Sequence, residues 1–164
     1  MGRICRMMKQ GLNIQFTKAY RKSDALARIR DQIQQTINLP DPEAVRQTLY
    51  HNAQHMRSLL TPETILLDLK LPIVTSPTLF VTRFEEPVKW PLQTSNSSRL
   101  LDCHITMSLV MVSPVSDKIG HLQAIARLSR QWRQKDFQDL ILGANNPDSV
   151  RALLWDYNIQ KRAA

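Results

Sequence analysis

The chain has 164 residues, 43% of them apolar and 22% charged, which fits one globular domain around one hydrophobic core. Nine prolines and four glycines exclude a fibrous or low-complexity chain, and no apolar run approaches the roughly 20 residues that a membrane helix needs. Met1 to Phe16 mixes charged and apolar side chains with no signal-peptide core, and Arg6 stands where a myristoylation site wants Ser or Thr, so the expected compartment is the cytoplasm.

The net charge of +8 is unevenly placed. Residues 1–30 carry eight basic side chains against Asp24 alone, whereas the rest of the chain holds fourteen basic and thirteen acidic residues. The excess therefore belongs to the N-terminal segment, and only Phe16 and Tyr20 accompany it as aromatic platforms on which bases could stack. Cys5 and Cys103 lie far apart outside any metal or CxxC spacing, which predicts two free thiols.

Leu12, Ile14 and Phe16 alternate with Asn13 and Gln15, the period of a half-buried strand. Ser23 is placed to cap a helix whose apolar stripe is Leu26, Ile29, Ile33 and Ile37, ended by Leu39-Pro40. Asp41-Pro42-Glu43 opens a second helix, with cap, proline at the first position and an acid in the first turn; Val45, Leu49, Ala53 and Met56 form its buried side. Thr64–Leu71, Thr78–Phe84 and Ile105–Val112 read as strands, with Gln93 to Ser98 as a polar loop between the last two. Ser116 or Asp117 caps a third helix with Leu122, Ile125, Ser129 and Trp132 on one side. Asp136 caps a short fourth helix stopping at Gly143, and Asn146-Pro147-Asp148 starts a fifth with Val150, Leu153 and Leu154 inward. The order βααβββααα predicts an α/β fold, a mixed β-sheet flanked by α-helices, with no internal repeat.

His51 and His55 sit four apart on the second helix and could both reach one metal, but Asn52-Ala53-Gln54 lacks the glutamate of the HExxH motif. Both also fall opposite the apolar stripe, so a solvated face is the expectation and no metal site is assigned. No GxGxxG, Walker loop or GxSxG is present. His121 falls in the first turn of the third helix, beside the apolar stripe, where the helix N-terminus favours a neutral imidazole.

From about Leu12 to Leu154 the sequence resembles the enzyme IIA domain of the bacterial phosphotransferase system, of the mannitol, fructose and nitrogen-regulatory type. Counting on from Arg57, at the position of the family's arginine, puts Leu69-Lys70-Leu71-Pro72-Ile73 over the family's Ile-Ala-Ile-Pro-His ending. Ser113-Pro114 precedes Gly120-His121-Leu122 at the family's Pro-to-His-Leu spacing, and Thr78 to Trp90 resembles its strand and Pro-hydrophobic-x-aromatic segment. The resemblance implies the family's α/β fold and a phosphoryl group passed from the phosphocarrier protein to a histidine in a Pro-His pair, with a second histidine beside it. Pro72 keeps the proline, but the phosphoacceptor position is Ile73. The turn before it, Glu63 to Asp68, has no glycine, and only Val74-Thr75-Ser76 separates Ile73 from Pro77.

Isoleucine has no lone pair to attack phosphorus. The reading that follows is a degenerate enzyme IIA-like protein, a pseudoenzyme with no catalytic residue expected. Arg57, Pro72 and His121 are its remnant pocket, it needs no cofactor, and it binds a protein partner: a phosphotransferase component, a transporter or a regulator. Its expected organisation is a basic segment 1–10, an enzyme IIA-like domain 11–156 and a tail 157–164. The alternatives are a working phosphohistidine carrier of the sugar or nitrogen-regulatory system and, further off, a weak nucleic-acid-associated protein.

Overall fold

In a computed structural model, which describes residues 11–94 and 97–154, the chain runs through β1 (Leu12–Thr17), α1 (Lys22–Thr36), α2 (Pro42–Asn52) and a 3-10 turn (Met56–Ser58). It continues through β2 (Leu59–Thr61), β3 (Thr64–Leu71), β4 (Thr78–Gln93), β5 (Leu100–Pro114), α3 (Lys118–Trp132) and α4 (Lys135–Gly143), and closes with a helix α5 over residues 147–154. The segment 1–10, Cys5 within it, and the tail 157–164 lie outside the described residues.

The strands form one mixed sheet in the order β1-β4-β5-β3-β2. β1 with β4 and β3 with β5 run parallel, while β4–β5 and β2–β3 are antiparallel. The α/β fold expected from the element order is the one observed. Alternation along the strands divides the expected single core between the two sheet faces. Ile65, Leu67, Phe80, Phe84, Trp90 and Val110 pack with α1 and α2, and Leu79, Val81, Met107, Leu109 and Met111 with α3, α4 and α5. Residue i and residue i+1 of a strand point to opposite faces, so a sheet covered on both sides reads as near-continuous apolar sequence.

Several local expectations change. β4 and β5 are about twice as long as their apolar runs and form one hairpin closed by the polar loop. Glu85-Glu86-Pro87 marks an irregularity between Arg83 and Val88, not a strand end. β1 pairs only with Leu79–Phe84, so the far half of β4 tolerates Pro91 on a side with no continuous neighbour. β2 was not anticipated; three residues are too short to show a period. The helix α1 starts one residue before Ser23, with Arg21 at the N-cap and no side-chain cap, because Arg21 is held in a parallel bridge to Lys89. α4 likewise starts from Gln134, leaving Asp136 in the first turn. Asp41 and Asp117 cap as expected, accepting from Ala44 N at 3.1 Å and Gly120 N at 2.9 Å; a Cβ on Gly120 would collide with that Asp117 carboxylate.

The face of α3 is turned from the predicted one. Ala124, Leu128, Gln131 and Trp132 are buried with His121, whereas Leu122 is exposed. His121 is therefore on the packed face, not beside it, because its ring is tied on both sides to the sheet.

Candidate functional site

β5 ends at Ser113-Pro114, and Asp117 caps α3 three residues on. This tight connection puts His121, in the first turn, over the ends of β5 and β3. Ser113 Oγ lies 2.6 Å from His121 Nδ1 and Asp68 Oδ2 lies 3.1 Å from Nε2. The ring is 1% exposed and Ser113 wholly buried. A carboxylate only accepts, so Nε2 carries the proton and donates to Asp68; in the neutral ring Nδ1 then accepts from the Ser113 hydroxyl. Each ring nitrogen thus has a partner, and the imidazole is oriented between two strands.

Asp68 is half-exposed and forms part of the wall of a cleft of about 590 Å³ between the α2–β2 segment, β3 and the C-terminal half of α3. Arg57 enters from the 3-10 turn and Arg133 from the end of α3, with His51, His55, Ser58 and Ser129 between them. α2 ends at Asn52, so His55 is not on the helix with His51; it opens the 3-10 turn, and the chain's reversal there brings both imidazoles to one cleft. No three His, Cys, Asp or Glu side chains gather as metal ligands among the described residues.

Arg57 lines the cleft together with Asp68, and His121 stands behind that wall, bonded to Asp68. Pro72 and Ile73 lie in the turn beyond the end of β3; Pro72 borders a separate shallow groove with Asp41 and Lys70, and Ile73 is 50% exposed. Ser113, Asp68 and Arg133 were not singled out from the sequence. The signal for Asp68 was there: β3 alternates Ile65, Leu67 and Leu69 toward one core, and a carboxylate in the other register of so apolar a strand needs a partner. Cys103 is a free thiol whose pKa is raised by burial and then by the Asp102 carboxylate, which makes it a poor nucleophile.

Residues 8–157 match the family model described as Phosphoenolpyruvate-dependent sugar phosphotransferase system, EIIA 2. The chain belongs to this EIIA family. Solved structures of the same fold include the nitrogen regulatory protein IIA-Ntr of Neisseria meningitidis, 14% identical, with TM-score 0.68 over 93% of this chain and 99% of that one. The mannitol IIA of Escherichia coli is 15% identical, with TM-score 0.60 over 87% of this chain and 95% of that one. The mannitol-specific cryptic phosphotransferase enzyme IIA of Escherichia coli is 12% identical, with TM-score 0.57 over 86% and 91%. No curated protein matches the chain. EIIA domains interact with other proteins of the phosphotransferase system, and in this EIIA domain no described helix is long and apolar enough to cross a membrane.

Proposed function

We propose that this EIIA domain, spanning residues 11–156, does not carry phosphate on the usual histidine and works in the cytoplasm as a regulatory, protein-binding module. The observation that carries this reading is the state of His121. Nε2 is protonated against Asp68, and Nδ1 is closed in by Ser113. In-line attack on phosphorus needs a free imidazole lone pair facing the donor, and Ile73 supplies no nucleophile at the counted acceptor position. Arg57 in the cleft, with His121 behind the Asp68 wall, is then what remains of the expected pocket, while Pro72 stands apart at the separate groove.

The partner in this reading is a protein of the phosphotransferase system, a transporter or a regulator. Leu71 and Pro114 are register partners at the parallel β3/β5 pair, so Ile73 and Val115 follow strands that end at the same edge of the sheet. Both are exposed, as are Ile119 and Leu122 on the first turns of α3. Four exposed large apolar side chains at one end of a sheet suit a protein-contact surface. The test is incubation with the general enzyme, the phosphocarrier protein and labelled phosphoenolpyruvate, beside an EIIA domain of known activity. This chain is expected to stay unlabelled; stoichiometric acid-labile label on any histidine overturns the reading.

A further inference from the structure

We infer that the cleft between Arg57 and Arg133 is a non-covalent binding site for a small, hydroxyl-rich phosphate monoester. The inference rests on the reading that no phosphohistidine forms in this cleft, and names the ligand that occupies it instead. Arg57 and Arg133 stand 76 residues apart in sequence, yet line one cleft of about 590 Å³, a volume suited to a small-molecule ligand. Among the described residues neither guanidinium holds a hydrogen bond or an ion pair. Arg30 and Arg46 pair with Glu43, and Arg83 and Arg151 donate to backbone carbonyls; Arg57 and Arg133 differ from the other unpaired arginines in that both line one concavity. Two unpaired guanidinium forks in one concavity are the donor set for the three oxygens of a phosphate. Ser129 adds a hydroxyl to the same wall, and His51 and His55 add imidazole N–H donors, while Ser58 Oγ already donates to the Asn52 carbonyl at 2.6 Å.

The remainder of the ligand follows from the rest of the wall. It carries no Phe, Tyr or Trp, so nothing offers a face for a nucleobase, which argues against a nucleotide. Asp68 accepts from His121 through Oδ2, and its half-exposed carboxylate, with Oδ1 in no hydrogen bond among the described residues, lines the cleft. A carboxylate oxygen accepts from a hydroxyl and repels a phosphate, so it orients the ligand with hydroxyls toward β3 and the phosphate toward the arginines. The lining leucines Leu59 and Leu66 suit the C–H face of a sugar ring.

The experiment is calorimetric titration of the full chain, with nitrogen and carbon amide chemical shifts as a second readout, using glucose 6-phosphate, glucose, inorganic phosphate and AMP as probes. Glucose 6-phosphate is expected to saturate, with shifts confined to α2, the 3-10 turn and the end of α3; glucose is expected not to bind, and phosphate and AMP to bind more weakly. Arg57→Gln and Arg133→Gln, both at exposed positions, should each weaken binding about tenfold or more with melting unchanged, while Arg99→Gln outside the cleft should leave it as in the parent. No saturation by any phosphate at about 10 mM, equal binding of glucose and its phosphate, or binding unmoved by both cleft variants overturns the inference. The labelling experiment is independent: an unlabelled chain that also fails to bind leaves the protein-binding reading standing and removes the ligand. A labelled histidine in the cleft removes the reading the inference rests on, and the inference with it.

Discussion

His121→Leu tests the buried Ser113–His121–Asp68 linkage directly. Leucine fills much of the imidazole's volume, so the loss is mainly of polar pairing, not of packing. Ser113 is wholly buried and, among the described residues, its hydroxyl has no other partner; left unsatisfied, such a group costs about 1–3 kcal/mol. The Asp68 carboxylate is half-exposed and regains water, adding about 0.5–1 kcal/mol for the lost hydrogen bond. The expected destabilisation is about 1.5–4 kcal/mol, or a fall in Tm of roughly 3–16 °C for a domain of this size. Ser113→Ala alone should cost about 1–2 kcal/mol, because Nδ1 loses its donor. Combining the two removes both halves of the broken pair, so the double variant should be more stable than the sum by about 1–2 kcal/mol. Asp68→Asn should cost well under 1 kcal/mol, since the amide oxygen still accepts from Nε2–H. Urea unfolding followed by the fluorescence of buried Trp90 and Trp132 measures all four proteins. Strict additivity within about 0.5 kcal/mol, or His121→Leu indistinguishable from the parent, would refute the bridged-imidazole argument and with it the main support for an unreactive His121.

Lys22 is buried against the Tyr50 ring at 4.3 Å, and burial lowers its pKa from 10.5 to about 8. The unfolded chain therefore binds more protons than the folded one between about pH 8 and 10.5, and stability gained from this group rises with pH across that window. Lys22→Met should be more stable than the parent at pH 7 by about 1–3 kcal/mol, less whatever the ring contact contributes, and the gap should close by pH 10.5; urea midpoints at both pH values check it. Arg83 donates to the carbonyls of Ile141, Leu142 and Ala144 at the end of α4, so Arg83→Ala should cost about 1.5–3 kcal/mol and Arg83→Lys somewhat less, measured by thermal melting. Ile73→His alone should not take label in the phosphotransfer assay: the new imidazole would sit in an exposed turn, with His121 Nε2 already committed to Asp68. Efficient labelling of that single variant would show a site still built for phosphoryl transfer.

Local physics was legible along most of the chain. The Asp41-Pro42 and Asp117 starts are decided within four residues, by a side-chain oxygen meeting an amide one turn ahead, and the strand-like character of Thr64–Leu71 is visible because burial on both faces leaves a short β-rich apolar run. The Arg57, Gly120-His121-Leu122 and Thr78–Trp90 segments carried the family resemblance in the same way, as residues at fixed spacing. What the sequence could not decide was anything that depends on which strand lies beside which. The hairpin extension through Pro91 holds because β1 is too short to cover that half of β4. The turned face of α3 exists because Ser113 and Asp68, eight and 53 residues away, reach the two nitrogens of one ring. The cleft joins Arg57 to Arg133 only because the end of α3 returns over the α2–β2 segment. Periodicity and capping act over a few residues; a hydrogen bond across parallel strands, and the charge left unpaired beside it, exist only after the chain has closed on itself.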